Sequence, residues 1–174
     1  MWPSGAASPL VLLERRAGFR SILLSVLSAI VSALHVLVVT LGLPSVYLRG
    51  RALRRPLDGD GLTRLFAADN VWGVAALLLL ATGLLRAFGG LEKGSQFYLT
   101  SRLFWTKMTL FALVLLLEVW PMVTFIRWRI ARRHGRRPDT THARTLYLVN
   151  HVEMALAVLI VFVASFMARG FGHG

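Results

Sequence analysis

Four apolar runs dominate the chain: Ser21–Leu48, Val71–Leu85, Leu103–Phe125 and Leu146–Ala168. A helix rising 1.5 Å per residue needs about 20 apolar residues to cross a hydrocarbon core of about 30 Å. Three runs meet that length, and the second does so when the residues from Ala67 to Gly90 are counted with it. The predicted fold is therefore all-α: an integral membrane four-helix bundle. One transmembrane domain spans residues 1–174, with helices over about 21–48, 67–90, 103–126 and 146–168.

Composition agrees. Hydrophobic residues make up 56% of the chain and mean hydropathy is +0.62, above the 45–50% apolar share usual for soluble domains. The net charge of +12 would suit nucleic acid, but the arginines lie as membrane flanks and the gaps between runs hold no separate basic domain. No nucleic-acid partner is expected. There is no cysteine, which excludes disulfides, thiolate metal sites and covalently attached c-type haem. The first run follows Arg15, Arg16 and Arg20 as a signal peptide would, yet it is about twice a ~7–15-residue signal core and reads as a retained helix.

Lysine and arginine placement predicts orientation. The connections after helices one and three share a side. They hold Arg49, Arg51, Arg54, Arg55 and Arg64, then Arg127, Arg129, Arg132, Arg133, Arg136, Arg137 and Arg144. The opposite side holds Arg15, Arg16, Arg20, Arg86, Lys93, Arg102 and Arg169. The positive-inside rule then puts the richer side in the cytoplasm of a bacterial inner membrane and both termini outside. The connection RWRIARRHGRRPD reads as a topology signal with incidental anionic-lipid contact. Ser25, Ser28, Ser32, Gly73 and Gly83 read as surfaces for close helix packing.

Ionisable groups inside a span are functional candidates by default, because a mid-bilayer charge costs a few kcal/mol. They are His35, Asp69, Lys107, Glu118, His151 and Glu153, with Arg86 and Arg169 near helix ends. Heights counted along the runs put His35 and His151 at similar depth, within about 5 Å. Two facing imidazoles in a bundle core would suffice for a b-type haem, so both are candidate cofactor ligands and His35 a candidate metal ligand. Glu118 needs protonation or a cationic partner, whereas Lys107 can snorkel outward. Glu118→Gln is therefore expected to accumulate normally. His151 and Glu153, two residues apart, point away from each other on a helix and form a weak metal signal. No nucleophile elbow, zinc-protease helix or phosphate-binding glycine loop is present. GGLEKG reads as a turn at the outer surface, followed by the aromatic belt Phe97, Tyr98, Phe104 and Trp105.

From Asp69 onward the chain resembles a bacterial family of predicted four-helix membrane proteins of unknown function. The matching residues are AADNVWG around Asp69 and Gly73, ATGLLR through Arg86, and EKG at Glu92–Gly94. Tyr98-Leu99, WTKMTLF with Lys107, FIRWR at Phe125–Arg129, VEMAL with Glu153, and MARGFG at Met167–Gly172 complete the set, and His35 matches a first-helix histidine. A more distant similarity is to HemJ-type protoporphyrinogen oxidases, carried by His35 and Lys107 alone. It implies that His35 ligates haem b and that Lys107 is a catalytic group at the haem or the tetrapyrrole carboxylates. Two functions compete. One is a redox or tetrapyrrole-binding protein with haem b and a tetrapyrrole or quinone partner. The other is a non-enzymatic transporter subunit or assembly partner, homo- or hetero-oligomeric, in which Lys107, Glu118 and Glu153 form charge pairs or a proton path.

Overall fold

The structure, a computed structural model, describes residues 9–90 and 95–171, with side chains from residue 15 and, in the second part, from residue 98. The expected turn at Leu91–Gly94 and the Phe97 side chain lie outside the described residues. Four long helices form: α1 (Pro9–Leu53), α2 (Gly59–Phe88), α4 (Arg102–Arg133) and α5 (Ala143–Ala168). A short α3 (Ser95–Thr100), not expected from the sequence, precedes α4. All four long helices are long and apolar enough to cross a membrane, and the protein is a multi-pass membrane protein.

Each helix overshoots its apolar run where polar residues can still satisfy the backbone. The Asp58 carboxylate caps α2 by accepting from the Gly61 N–H at 2.7 Å. Ser101 does the same for α4 through the Phe104 N–H. Gly89 ends α2, and Gly90 follows it at φ 66°, a left-handed conformation that favours glycine. In the α4–α5 connection the Thr141 hydroxyl and backbone N–H donate to Asp139, which holds its carboxyl below the usual carboxylate range.

The helices run alternately up and down, so the 54–58 and 134–142 connections meet at one end. Arg132 donates to Thr63 and Arg54 lies over the Tyr147 ring there. Above this arginine-rich rim the core is layered. Ala52, Leu53, Leu62, Leu65, Phe125, Trp128 and Leu146 fill the lowest layer. Val46, Trp72 and Val114, with Met154 and Ile160 against them, form a second. Ala87, Tyr98, Phe104 and Met167 close the far end.

Close packing follows the serine and glycine pattern only in part. A Cβ at Gly73 would meet nothing within 4 Å, and Ser25 is exposed and donates back to its own helix. Gly42 instead lies against α2, where its Cβ would be 3.3 Å from that of Ala75. Gly83 does face a neighbour, His35, at an ordinary 3.7 Å. Helix α1 is about 68 Å long at 1.5 Å per residue, roughly twice a hydrocarbon core. Residues 15–27 are exposed on every side, with Phe19 at 66%.

Candidate functional site: a buried arginine and three carboxylates

Between the two lower apolar layers lies a charged one. Helix α1 does not end at Leu48 but continues to Leu53, which carries Arg49 into the bundle at 0% exposure. Arg49 was expected in a cytoplasmic connection; it is instead the centre of the molecule's polar interior. A guanidinium has five N–H donors, and here each finds an acceptor. Nε donates to Asn150 Oδ1 at 2.7 Å. Nη1 donates to Glu118 Oε1 at 2.7 Å and to Asp69 Oδ1 at 3.2 Å. Nη2 donates to Glu118 Oε2 at 3.0 Å and to Glu153 Oε2. One side chain of α1 thereby ties α2, α4 and α5 together, with a two-pronged hold on Glu118.

Neighbours fix this geometry. The Trp72 and Phe125 rings each lie 5.9 Å from the Arg49 guanidinium carbon. The Trp72 indole N–H donates to Glu118 Oε2 at 3.0 Å. Asn150 is held at both ends of its amide, since Nδ2 donates to the Val46 carbonyl at 2.9 Å. Asp69 bridges to a second cation: Arg129 Nη2 donates to its Oδ2 at 2.8 Å and to Asn70 Oδ1 at 2.9 Å. Arg129 too was expected in a connection, but lies within α4 and over the Phe66 ring.

The layer thus holds three carboxylates and two guanidiniums, one negative charge in excess when all are ionised. Glu153 is fully buried, and its Oε1 has no hydrogen-bond partner among the described residues. Low-dielectric surroundings make such an uncompensated group costly.

Gly50 makes the layer possible. A Cβ there would come within 2.6 Å of Asn150 Nδ2 and 3.2 Å of His151 Cε1. Because Asn150 is pinned at both ends, it cannot yield cheaply. Gly50→Ala should lower stability by about 1–3 kcal/mol, read as a lower unfolding temperature in mild detergent. Gly73→Ala, which faces open space, should be neutral or stabilising.

The other sequence-predicted residues lie apart from this centre. His35 Nδ1 is 2.7 Å from Thr82 Oγ1, near the far end of α2. His151 packs against Gly50 and stacks on Tyr147, and its Nδ1 donates to the Tyr147 carbonyl at 2.9 Å. Gly50 is fifteen residues beyond His35, about 22 Å along α1. The two imidazoles are therefore not at one depth and do not fit opposite faces of one haem. Heights counted from the apolar run misplace His35, because α1 begins at Pro9 and far outruns its neighbours. Among the described residues no three His, Cys, Asp or Glu side chains are arranged to hold a metal ion. Lys107 lies near the start of α4, its Nζ 5.5 Å above the Phe104 ring, and Arg86 is half-buried near the end of α2. Glu118, Asp69 and Glu153 are brought together; His35, Lys107, Arg86 and His151 do not join them. Sequence reasoning missed Arg49, Asn150, Trp72 and Arg129. The available signal was charge balance: three acids in the inner half of the bundle require a nearby cation.

No curated protein and no solved structure matches the chain. A family model described as a predicted membrane protein, DUF2214, matches residues 27–172. The distant likeness to HemJ-type oxidases finds no support in that match. The matched region contains all five carboxylate and arginine positions that meet around Asp69 and Glu118, and the chain belongs to the DUF2214 family of predicted membrane proteins.

Proposed function

We propose that this protein is a proton-binding membrane component, of the transporter-subunit or complex-assembly class, and that its working part is the layer around Arg49. The observation that carries this reading is the charge excess combined with the unpartnered Glu153 Oε1. A proton on the Glu118–Glu153 pair, whose carboxylates share Arg49 Nη2, would balance the layer and give a buried oxygen an exchangeable hydrogen. The rim side chains nearest the layer belong to the arginine-rich end, so exchange would run through that end.

Infrared difference spectra of the protein in lipid, between acid and alkaline buffer, test this. A carboxylic-acid carbonyl band that shifts in heavy water should appear in the wild type and vanish in Glu153→Gln. No band, or one unchanged in Glu153→Gln, Glu118→Gln and Asp69→Asn alike, overturns the reading.

A bacterial inner membrane, with the arginine-rich end in the cytoplasm and both termini outside, suits the arginine placement. Reporter fusions after Arg55, Arg102 and Gly174 should be active inside, outside and outside, respectively. Haem b or another tetrapyrrole would have to rely on His35 without His151. The purified protein is accordingly expected to lack a Soret band; a band lost in His35→Ala would restore the redox reading, with a tetrapyrrole or quinone as partner.

A further inference from the structure

At the arginine-rich rim a cleft of about 430 Å³ opens between the end of α1 and the start of α5. Leu53, Arg54, Arg144, Tyr147 and Leu148 line it. Its charge differs from that of the buried layer. Arg49 and Arg129 are neutralised by carboxylates, but among the described residues no carboxylate lies within 4.0 Å of Arg54 or Arg144. Arg54 is instead braced on the Tyr147 ring at 5.2 Å, with the Tyr147 hydroxyl 3.5 Å away. His151 backs that ring at 4.0 Å. The cleft therefore presents two uncompensated guanidiniums over an apolar wall, and Leu148 in that wall is exposed. Planar guanidiniums favour phosphate oxygens, and basic pockets between membrane helices suit anionic headgroups.

We propose that this cleft is a binding site for an anionic phospholipid, with the phosphodiester between Arg54 and Arg144 and an acyl chain along Leu148. The shared chemistry is a phosphate ester anion; the apolar wall is what selects a lipid over a free phosphate. The site is independent of proton binding in the buried layer.

Native mass spectrometry of the delipidated full chain, titrated with three probes, tests it. Dimyristoyl phosphatidylglycerol should bind; dimyristoyl phosphatidylcholine should bind at least ~10-fold more weakly, and glycerol phosphate should not bind over the same range. Arg54→Gln with Arg144→Gln should weaken phosphatidylglycerol binding about 30-fold, at about one headgroup contact per arginine. Arg136→Gln with Arg137→Gln, exposed on the same end, should change it less than about 2-fold. If the double variant fails to fold, Arg144→Gln alone carries the test, with an expected loss of about 5-fold. Equal loss in both arginine pairs, equal binding of the two lipids, or glycerol phosphate binding as tightly as the lipid would overturn the proposal.

Discussion

Arg49→Ala is expected to remove most of the folded protein from the membrane. The substitution takes away five donated hydrogen bonds at once and leaves the buried Glu153 and the half-buried Asp69 and Glu118 with only Arg129, which reaches Asp69 alone among them. Breaking a buried ion pair by deleting one partner costs about 3–5 kcal/mol, because the remaining charge stays desolvated. Folded domains have about 5–15 kcal/mol of net stability, so this loss is a large share of the whole. Arg49→Lys should fall between, since an ammonium offers three donors to five acceptors and cannot grip Glu118 with two prongs. Arg51→Ala, exposed two residues away, should stay within about 0.5 kcal/mol of the wild type. Yield in the membrane fraction and unfolding temperature in mild detergent read all three.

Glu118→Gln is expected to destabilise the bundle by about 1.5–3 kcal/mol, the range for hydrogen bonds to charged groups. This reverses the expectation from the sequence that the neutral isostere would accumulate normally. Both Glu118 oxygens accept, Oε1 from Arg49 Nη1 and Oε2 from Arg49 Nη2 and the Trp72 indole. A glutamine must turn its amide nitrogen toward one of these donor sets, donor against donor. The Arg49 bonds to Asn150, Asp69 and Glu153 stay in place, so the effect should remain below that of Arg49→Ala. Lys107→Met, on the same helix but far from the layer, should lower the unfolding temperature less than Glu118→Gln does. Equal destabilisation by Glu118→Gln and Lys107→Met would mean that Glu118 is not paired as described.

The spans were legible because bilayer crossing is a length-and-hydropathy constraint that a single sequence satisfies or fails. Their ends were not. Arg49 and Arg51 in α1, and the run from Arg127 to Arg133 in α4, look like connection residues by composition, yet helix hydrogen bonding carries on through them. Asp69, Glu118 and Glu153 were legible as candidates because acids in apolar runs are costly. Their partner was hidden because arginine near a span end ordinarily marks topology, and only the register of α1 against α5, seen in Asn150 Nδ2 on the Val46 carbonyl, turns Arg49 inward. The same register separates His151 from His35, a relation that heights counted from run ends cannot reveal.

The buried ion centre is tested most directly by a double-mutant cycle between Arg49 and Glu118, from unfolding free energies of the wild type, Arg49→Gln, Glu118→Gln and the double variant in one detergent. Direct contact predicts that the double variant loses at least about 1 kcal/mol less than the two single losses together. Additivity within about 0.5 kcal/mol, as for residues far apart, would contradict an Arg49 side chain bound to Glu118 in the interior of the bundle.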